Sequence, residues 1–328
     1  MARMIQIARG LTLAALTLAA PMVIAQQKYR VVPTPCCVRD PVSIDAHGRI
    51  FGVGTDVRRF ICTAAACHEL PRYLRDRAMN WTAVNDQHVR TGYSARNGSS
   101  WALRKDPQQN GSLFLTHGAG LAIAPDGAVV GTHDDRPFLY TDHLIKMRGL
   151  AFETGEPTAI NSLHVIVGRS DAADGKEHAT LWAAGGGAAE DLGLCAGHRY
   201  SWALALNEAG TAVGMCYDDY VVFYPARFEG GLVQRLRLPN DGDSGRALGI
   251  NDSGIIVGRI VQPSLGRTVG GIAEGDRMVD LNLRLRRADA NRYFISDAVG
   301  VNEAGQIAAQ AIDSQDGRTK AVRLEPVD

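Results

Sequence analysis

The chain is poor in three things. Aromatic residues fill only 6% of its 328 positions. Net charge is absent, because 35 Lys and Arg balance 35 Asp and Glu. After residue 25 no apolar run approaches the roughly 20 residues that a membrane-spanning helix needs. The charge balance excludes an electrostatic nucleic-acid binder, which carries a basic excess. The missing run excludes a spanning helix beyond residue 25. Familiar catalytic signatures are also missing: there is no Walker loop, no G-x-S-x-G and no H-E-x-x-H. Glycine, by contrast, is abundant at 36 residues, in a chain that is 45% hydrophobic. That apolar content suffices for a core. Glycine spread among apolar residues predicts many turns and many short strands.

The first residues follow a different pattern. Arg3 and Arg9 flank the start of a short apolar segment, residues 11–20 (LTLAALTLAA), and Pro21 interrupts its continuation. Small and aliphatic residues follow at 23–25. This is the layout of a cleavable signal peptide cut after Ala25. Residues 1–25 are therefore expected to be removed, and 26–328 to form one exported domain, periplasmic or extracellular.

The most informative feature is a repeat. Seven segments share one pattern: a small residue, an aliphatic residue, Asn, two residues, Gly, then a β-rich run ending in Gly. They are residues 43–52, 83–92, 122–131, 159–168, 205–214, 249–258 and 300–309. The Asn column reads Asp45, Asn85, Ala124, Asn161, Asn207, Asn251 and Asn302. The mean spacing of about 43 residues is typical of propellers and other repeat arrays. Asn followed three positions later by Gly marks a type I turn, here joining two antiparallel strands with the Gly left-handed. His88 and His164 replace that Gly in two copies. Histidine is enriched at positive φ, so a turn role is favoured over a metal role. The following runs, such as Ile255-Ile256-Val257, are continuously apolar, as in strands covered on both faces. A Gly inside such a strand predicts close backbone approach.

Two further apolar runs follow each pair, at 178–182 and 190–194 in the fourth copy and at 268–273 and 278–283 in the sixth. Four strands per unit make a propeller blade. The seventh unit stops one strand short, while residues 28–33 (KYRVVP) supply a spare strand before the first. A ring needs that complement and a solenoid does not. The fold class is thus all-β: a seven-bladed β-propeller closed by the N-terminal strand.

Residues 247–258 (ALGINDSGIIVG), 178–182 (HATLW), 191–193 (DLG) and 280–281 (DL) together resemble the bacterial HAF-repeat proteins, an extracellular-repeat family. The resemblance extends over essentially all of 26–328. Its Asn-turn half is well kept, whereas only His178-Ala179 retains the H-A of the second half, with Thr180 where the family has Phe. The resemblance implies export and a repeat fold, and implies no particular activity.

By analogy with other propellers, ligands are expected on the face formed by the loops between strands b and c and between d and the next a, opposite the Asn turns. The b–c loops are rich in Asp, at positions 56, 134, 135, 171, 174, 218, 219, 313 and 316, with Arg58, Arg59, Arg136, Arg169, Arg267 and Arg318 among or beside them. Most of these suit solvated turns. One loop pair stands out. Tyr200 and Trp202 enter the fifth blade, and Tyr217, Asp218, Asp219 and Tyr220 join its second and third strands. Ring faces pack on sugar CH groups and carboxylates accept from hydroxyls, so this is the candidate ligand site, with a glycan or a protein partner as the occupant. A glycoside-cleaving pair of carboxylates is the enzymatic alternative, but adjacent Asp residues at a strand end point opposite ways. Metal signatures are weak: His133-Asp134-Asp135 lacks a known spacing, and residues 240–245 (NDGDSG) miss the calcium-loop register.

The six cysteines are Cys36, Cys37, Cys62, Cys67, Cys195 and Cys216. An even count in an exported chain favours disulfides. Cys195 and Cys216 fall at the same rim of neighbouring blades and form the best pair. Cys62 and Cys67 either close a local loop or reach Cys36 or Cys37. Residues 62–68 (CTAAACH) also resemble a widened C-x-x-C-H haem attachment site, which would make an electron-transfer protein. The reading that fits most of the sequence is a non-enzymatic, exported binding protein without a cofactor or metal.

Overall fold

The computed structural model describes residues 27–35, 38–71, 73–74, 77–96 and 99–327. The expected signal peptide, together with Cys36 and Cys37, lies outside them. Seven antiparallel sheets form a ring, six of them with their strands in sequence order from one edge of the sheet to the other. Blade one comprises Val38–Ile44, Ile50–Gly54, Arg59–Cys62 and Cys67–Glu69. Blade two comprises Arg77–Val84, Arg90–Arg96, Ser99–Lys105 and Leu113–His117, with the short strand Tyr73–Leu74 paired to its first member. Blade three is Ala119–Ile123, Val129–His133, Arg136–Tyr140 and Leu144–Lys146. Blade four is Glu156–Ile160, Ile166–Asp171, Glu177–Trp182 and Ala189–Gly193. Blade five is Tyr200–Leu206, Ala212–Tyr217, Phe223–Glu229 and Leu232–Arg235. Blade six is Ser244–Ile250, Ile256–Gln262, Arg267–Glu274 and Arg277–Asp280.

Blade seven has Tyr293–Val301, Ile307–Asp313 and Arg318–Val327, and its outer strand is the N-terminal Lys28–Pro33. The pairing runs from Lys28 opposite Val327 to Pro33 opposite Val322. Both chain ends thus cover an edge that would otherwise be open. One expected strand is shorter than its apolar run. Residues 278–283 leave the sheet at Asp280, whose carboxylate accepts from the Asn282 amide at 2.9 Å and starts a 3₁₀ turn over Leu281–Arg284.

The core is divided among the blade interfaces. The described residues form seven buried clusters, one at each junction. Phe51, Ile61, Met79, Trp81 and Leu103 fill the junction of blades one and two. Among the described residues the junction of blades two and three has the smallest cluster, with Ala102, Val129 and Phe138 fully buried.

The Asn column explains how the ring is tied together. In each blade the column carbonyl accepts from the amide three residues on, closing the expected turn. Gly48, Gly127, Gly210, Gly254 and Gly305 are left-handed there, and so are His88 (φ 62°) and His164 (φ 58°). The Asn side chain does more. Its Oδ1 accepts from the amide four residues on, and its Nδ2 donates to the column carbonyl of the next blade. Asn85 donates to Ala124 (3.0 Å), Asn161 to Asn207 (3.2 Å), Asn207 to Asn251 (3.3 Å), Asn251 to Asn302 (2.9 Å) and Asn302 to Asp45 (2.9 Å). These are buried amides in a ring of hydrogen bonds with two gaps, at Asp45 and Ala124.

Each gap is bridged in another way. Beside Asp45, Arg49 pairs with that carboxylate, donates to the Asp86 carbonyl of blade two at 2.7 Å, and meets the His88 ring. Beside Ala124, Asp126 meets His164 Nε2 of blade four at 2.8 Å. The two histidines therefore occupy the turns that follow the two missing asparagines. They serve the turn, as expected, and they also restore a blade-to-blade contact.

Two more columns have physical causes. A methyl group on Gly92, Gly131, Gly168, Gly214 or Gly258 would overlap a carbonyl oxygen of strand a, so close approach holds along that column. The strand a–b register also slips by one residue three positions before the Asn column in every blade. This seven-fold bulge lets strand a bend around the central channel. At two bulges Thr82 and Thr158 donate to the next blade, to Gly120 and Ala203 carbonyls, each at 2.6 Å.

Candidate functional site

The loop face departs from the repeat at the junction of blades four and five. Tyr200 starts strand a of blade five, and Tyr217 lies directly opposite it on strand b. Their rings stack with centroids 5.2 Å apart. Tyr220, in the b–c loop, packs 4.9 Å from Tyr217 and 6.1 Å from Tyr200. Trp202 joins the group through Arg169 of blade four, whose guanidinium lies 3.9 Å from the indole ring centroid. Of the six expected residues, these four aromatics do converge.

The two expected carboxylates do not take part. Asp218 accepts from His198 Nδ1 and from the Arg199 amide, both at 2.9 Å, and these contacts hold its carboxyl below the usual range. Asp219 accepts from the amides of Val221 (3.1 Å) and Val222 (3.3 Å). Both act as turn caps, the role Asp commonly has in loops.

The carboxylate at the aromatic cluster is Glu177, on strand c of blade four. Its Oε2 accepts from the hydroxyls of Tyr217 (2.7 Å) and Tyr220 (2.8 Å), and Arg169 donates to it at 3.0 Å. Arg169 donates on its other side to Glu156 at 2.8 Å. Burial and then the Glu177 carboxylate push the Tyr217 hydroxyl well above its ordinary pKa. The Glu177 carboxylate, with some burial, also raises Tyr220. Both phenols therefore remain protonated donors at physiological pH. Glu177 was missed because its neighbours in sequence mark only a strand start. The signal is topological: strand c of one blade meets the b–c loop of the next, so the partner of Tyr217 and Tyr220 lies one blade back.

A cavity of about 250 Å³ opens beside this network. Thr132, Asp135, Glu156, Arg169, Asp171 and Glu177 supply its polar lining. Tyr220, bonded to Glu177 of that lining, is 59% exposed and at φ 60°. A left-handed backbone is costly for an aromatic residue and persists only where the surroundings hold it. Here the Asp219 cap and the Glu177 hydrogen bond do so.

The other Asp-rich loops are occupied internally. Asp56 pairs with Arg58, Asp174 caps the Lys176 amide at 3.1 Å, and Asp316 caps the Arg318 amide at 2.9 Å. Asp313 is fully buried between Arg292 (2.8 Å) and Lys320 (2.7 Å), which hold its carboxyl far below the usual range. In the loop of residues 240–245, Asp243 accepts from the Asn240 amide (3.2 Å) and from the Asn240 and Gln262 side chains (3.1 and 3.2 Å). Its carboxylate is turned to N–H donors inside the protein. Asp134 and Asp135 form a tight left-handed turn.

Two disulfides are present. Cys195–Cys216 links blade four to blade five with Cα atoms 6.0 Å apart, as the rim argument expected. Cys62–Cys67 closes the local c–d hairpin of blade one, where the two residues are direct cross-strand partners. That bond corrects the haem alternative: both sulfurs are consumed, leaving no thiol to form a thioether.

The chain is thus a seven-bladed β-propeller with one aromatic and carboxylate cluster on its loop face. Its fold is similar to virginiamycin B lyase from Staphylococcus aureus, with 10% identity, a TM-score of 0.56, and coverage of 92% of this chain and 100% of that one. A catalytically inactive variant of the same lyase with quinupristin gives 10% identity, a TM-score of 0.52 and the same coverage. The extracellular domain of BT4673 from B. thetaiotaomicron gives 10% identity and a TM-score of 0.51, over 92% of this chain and 40% of that one. At this identity the likeness is one of fold alone. No family model matches the sequence, and no curated protein matches it. Among the described residues no helix is long and apolar enough to cross a membrane.

Proposed function

We propose that this is an exported, non-enzymatic binding protein that holds a carbohydrate on its loop face, in the cavity between blades three and four and over the tyrosines of blade five. The observation that carries the reading is the fixed presentation of Tyr220: an exposed ring in a costly backbone conformation, tied to Glu177 at the mouth of a polar cavity. The ring offers a face to sugar CH groups, and Asp135, Asp171 and Glu156 offer acceptors to hydroxyls. The cavity lies just below the range usual for a drug-sized ligand, about 300–1,000 Å³. It suits one end or one unit of a longer chain that continues over Tyr220. Export is supported by the disulfides, by the signal-like N-terminal sequence, and by the resemblance to HAF-repeat proteins.

The carboxylates argue against glycoside cleavage. Glu177 accepts from Arg169 and from two tyrosines, so it has no free edge, and Glu156 is clamped to Arg169 through Oε2, which leaves only Oε1 to a ligand. A general acid or nucleophile needs a free edge toward the scissile bond. The test is a glycan array with the mature chain, followed by titration of the strongest glycan against Glu177→Gln and Tyr220→Phe. The reading expects a selective glycan whose affinity falls in both variants without any hydrolysis. An array with no selective binder, or turnover of the bound glycan, overturns it.

A further inference from the structure

We propose a second binding site, for a small primary ammonium with a compact apolar body, at the mouth of the central channel on the Asn-turn face. Two sequence columns build it. The residue before the Asn column is aliphatic in every blade, and the residue after it reads Ala46, Asp86, Pro125, Ser162, Glu208, Asp252 and Glu303. Four of these seven are carboxylates and none is basic.

In the ring the two columns meet at a cavity of about 300 Å³, to which six of the seven blades contribute. Its apolar wall is Ile44, Val84, Ile123, Ile160, Leu206 and Val301, and Asp86, Glu208 and Glu303 also line it. Apart from Ile160, the wall residues are only partly buried, so they offer apolar surface to a ligand. Strand a of every blade ends at the aliphatic column. The carboxylates sit in the turns beyond, nearer the solvent, as a rim above the wall.

Neutral donors hold these carboxylates in place. Asp86 accepts from the Ala46 amide at 3.0 Å, and Glu208 from the Ser162 amide at 3.0 Å and its hydroxyl at 2.6 Å. Asp252 accepts from the Glu208 amide at 2.7 Å, and Glu303 from the Asp252 amide at 3.0 Å. Each donor belongs to the preceding blade. Such bonds orient the carboxylates and leave their charge uncompensated. None of the four pairs with Lys, Arg or His among the described residues, whereas Asp45 on the same face is paired with Arg49. Burial raises the Glu303 carboxyl above its ordinary value; the Asp252 amide opposes this, and the Asp252 and Glu208 carboxylates add to it. A cation at the mouth relieves that repulsion. Among the described residues no three His, Cys, Asp or Glu side chains cluster closely enough to hold a metal ion. The carboxylates are spread around the mouth, which attracts a diffuse organic cation, and the wall takes its apolar body.

The probe is benzylammonium, titrated calorimetrically against the mature chain at low ionic strength, with benzyl alcohol and ammonium as controls. Saturable benzylammonium binding is expected, with benzyl alcohol weaker by about tenfold or more and ammonium unable to displace benzylammonium at equal concentration. Glu208→Gln combined with Glu303→Gln is expected to weaken benzylammonium by about tenfold, while each amide keeps an oxygen for its backbone donor. Ala46→Lys tests the same field without removing a bond. Ala46 is exposed, and the added ammonium stands on the rim, so a loss of about tenfold is expected with an unchanged melting temperature. Equal binding of benzyl alcohol, full displacement by ammonium, or benzylammonium affinity indifferent to either variant overturns the proposal.

Discussion

The two faces of the ring are built on opposite principles. On the Asn-turn face, one chemical solution recurs from blade to blade, and where Asp45 and Ala124 break it, Arg49 and Asp126 bridge the gap to His88 and His164. On the loop face nearly every loop solves its own problem, and blade four alone among the described residues joins an aromatic cluster on its blade-five side, through Glu177, to a cavity on its blade-three side. The difference teaches where each kind of information resides. Repetition marks what every blade needs in order to meet its neighbours. Departure from repetition marks what only one junction does.

The comparison can be broken most forcefully at the closure. Deleting residues 26–35 removes the outer strand of blade seven and exposes the edge of Arg318–Val327. A large fall in melting temperature with self-association is expected, read by scanning calorimetry and light scattering. A deletion variant that stays monomeric and equally stable would mean that the ring does not depend on its seam.

Next in size is the Cys195–Cys216 bond. Replacing both residues by Ala releases a constraint spanning 21 positions, worth about 3 kcal/mol in the chain-entropy account. Peptide mapping without reduction should recover the two cysteines together, and denaturant unfolding should show the loss. Asn251→Ala follows. It removes the second donor to the Asn302 carbonyl, which keeps the Gly305 amide, and leaves the Ile255 amide without its acceptor, at an expected cost of about 2 kcal/mol. Binding by the folded protein should be untouched.

The repaired gap at Ala124 should matter least. Asp126 is exposed, so Asp126→Ala is expected to cost about 1 kcal/mol or less. Burial pushes the Asp126 carboxyl up, but backbone and His164 contacts outweigh it and hold the group below its ordinary value. Its contribution is therefore present above the unfolded-state pKa and lost as pH falls through the depressed one. Wild type and variant should differ at neutral pH and converge in acid. A cost at neutral pH equal to that of Asn251→Ala would show that the bridge is as strong as the original bond.

The fold was largely legible in the sequence, because each column has a local cause that repeats. The left-handed turn needs Gly or His, the crowded strand needs Gly, and the spare strand at residues 28–33 needs an edge. The bulge three positions before the Asn column was not legible. It is occupied by Val42, Thr82, Leu121, Thr158, Leu204, Leu248 and Val299. Val, Thr and Leu fill ordinary strands as well, so nothing marks the slip, which the backbone and not the side chain defines. At the site, Tyr200, Trp202, Tyr217 and Tyr220 were readable as scarce aromatics on neighbouring loops. Asp218 and Asp219 read as ligand carboxylates in sequence, whereas in the structure they cap turns, because a capping Asp and a ligand-binding Asp look alike in sequence. Glu177 was out of reach because its role comes from the adjoining blade.

The most direct test of the account sets the two faces against each other in one experiment. Melting temperature and affinity for the strongest array glycan are measured for wild type, Asn251→Ala, and Glu177→Gln combined with Tyr220→Phe. The account expects Asn251→Ala to melt lower with unchanged affinity, and the double variant to lose about tenfold or more in affinity with little change in melting temperature. If the double variant instead melts lower while binding as wild type does, the loop-face cluster is blade packing, and the assignment of function to that junction is wrong.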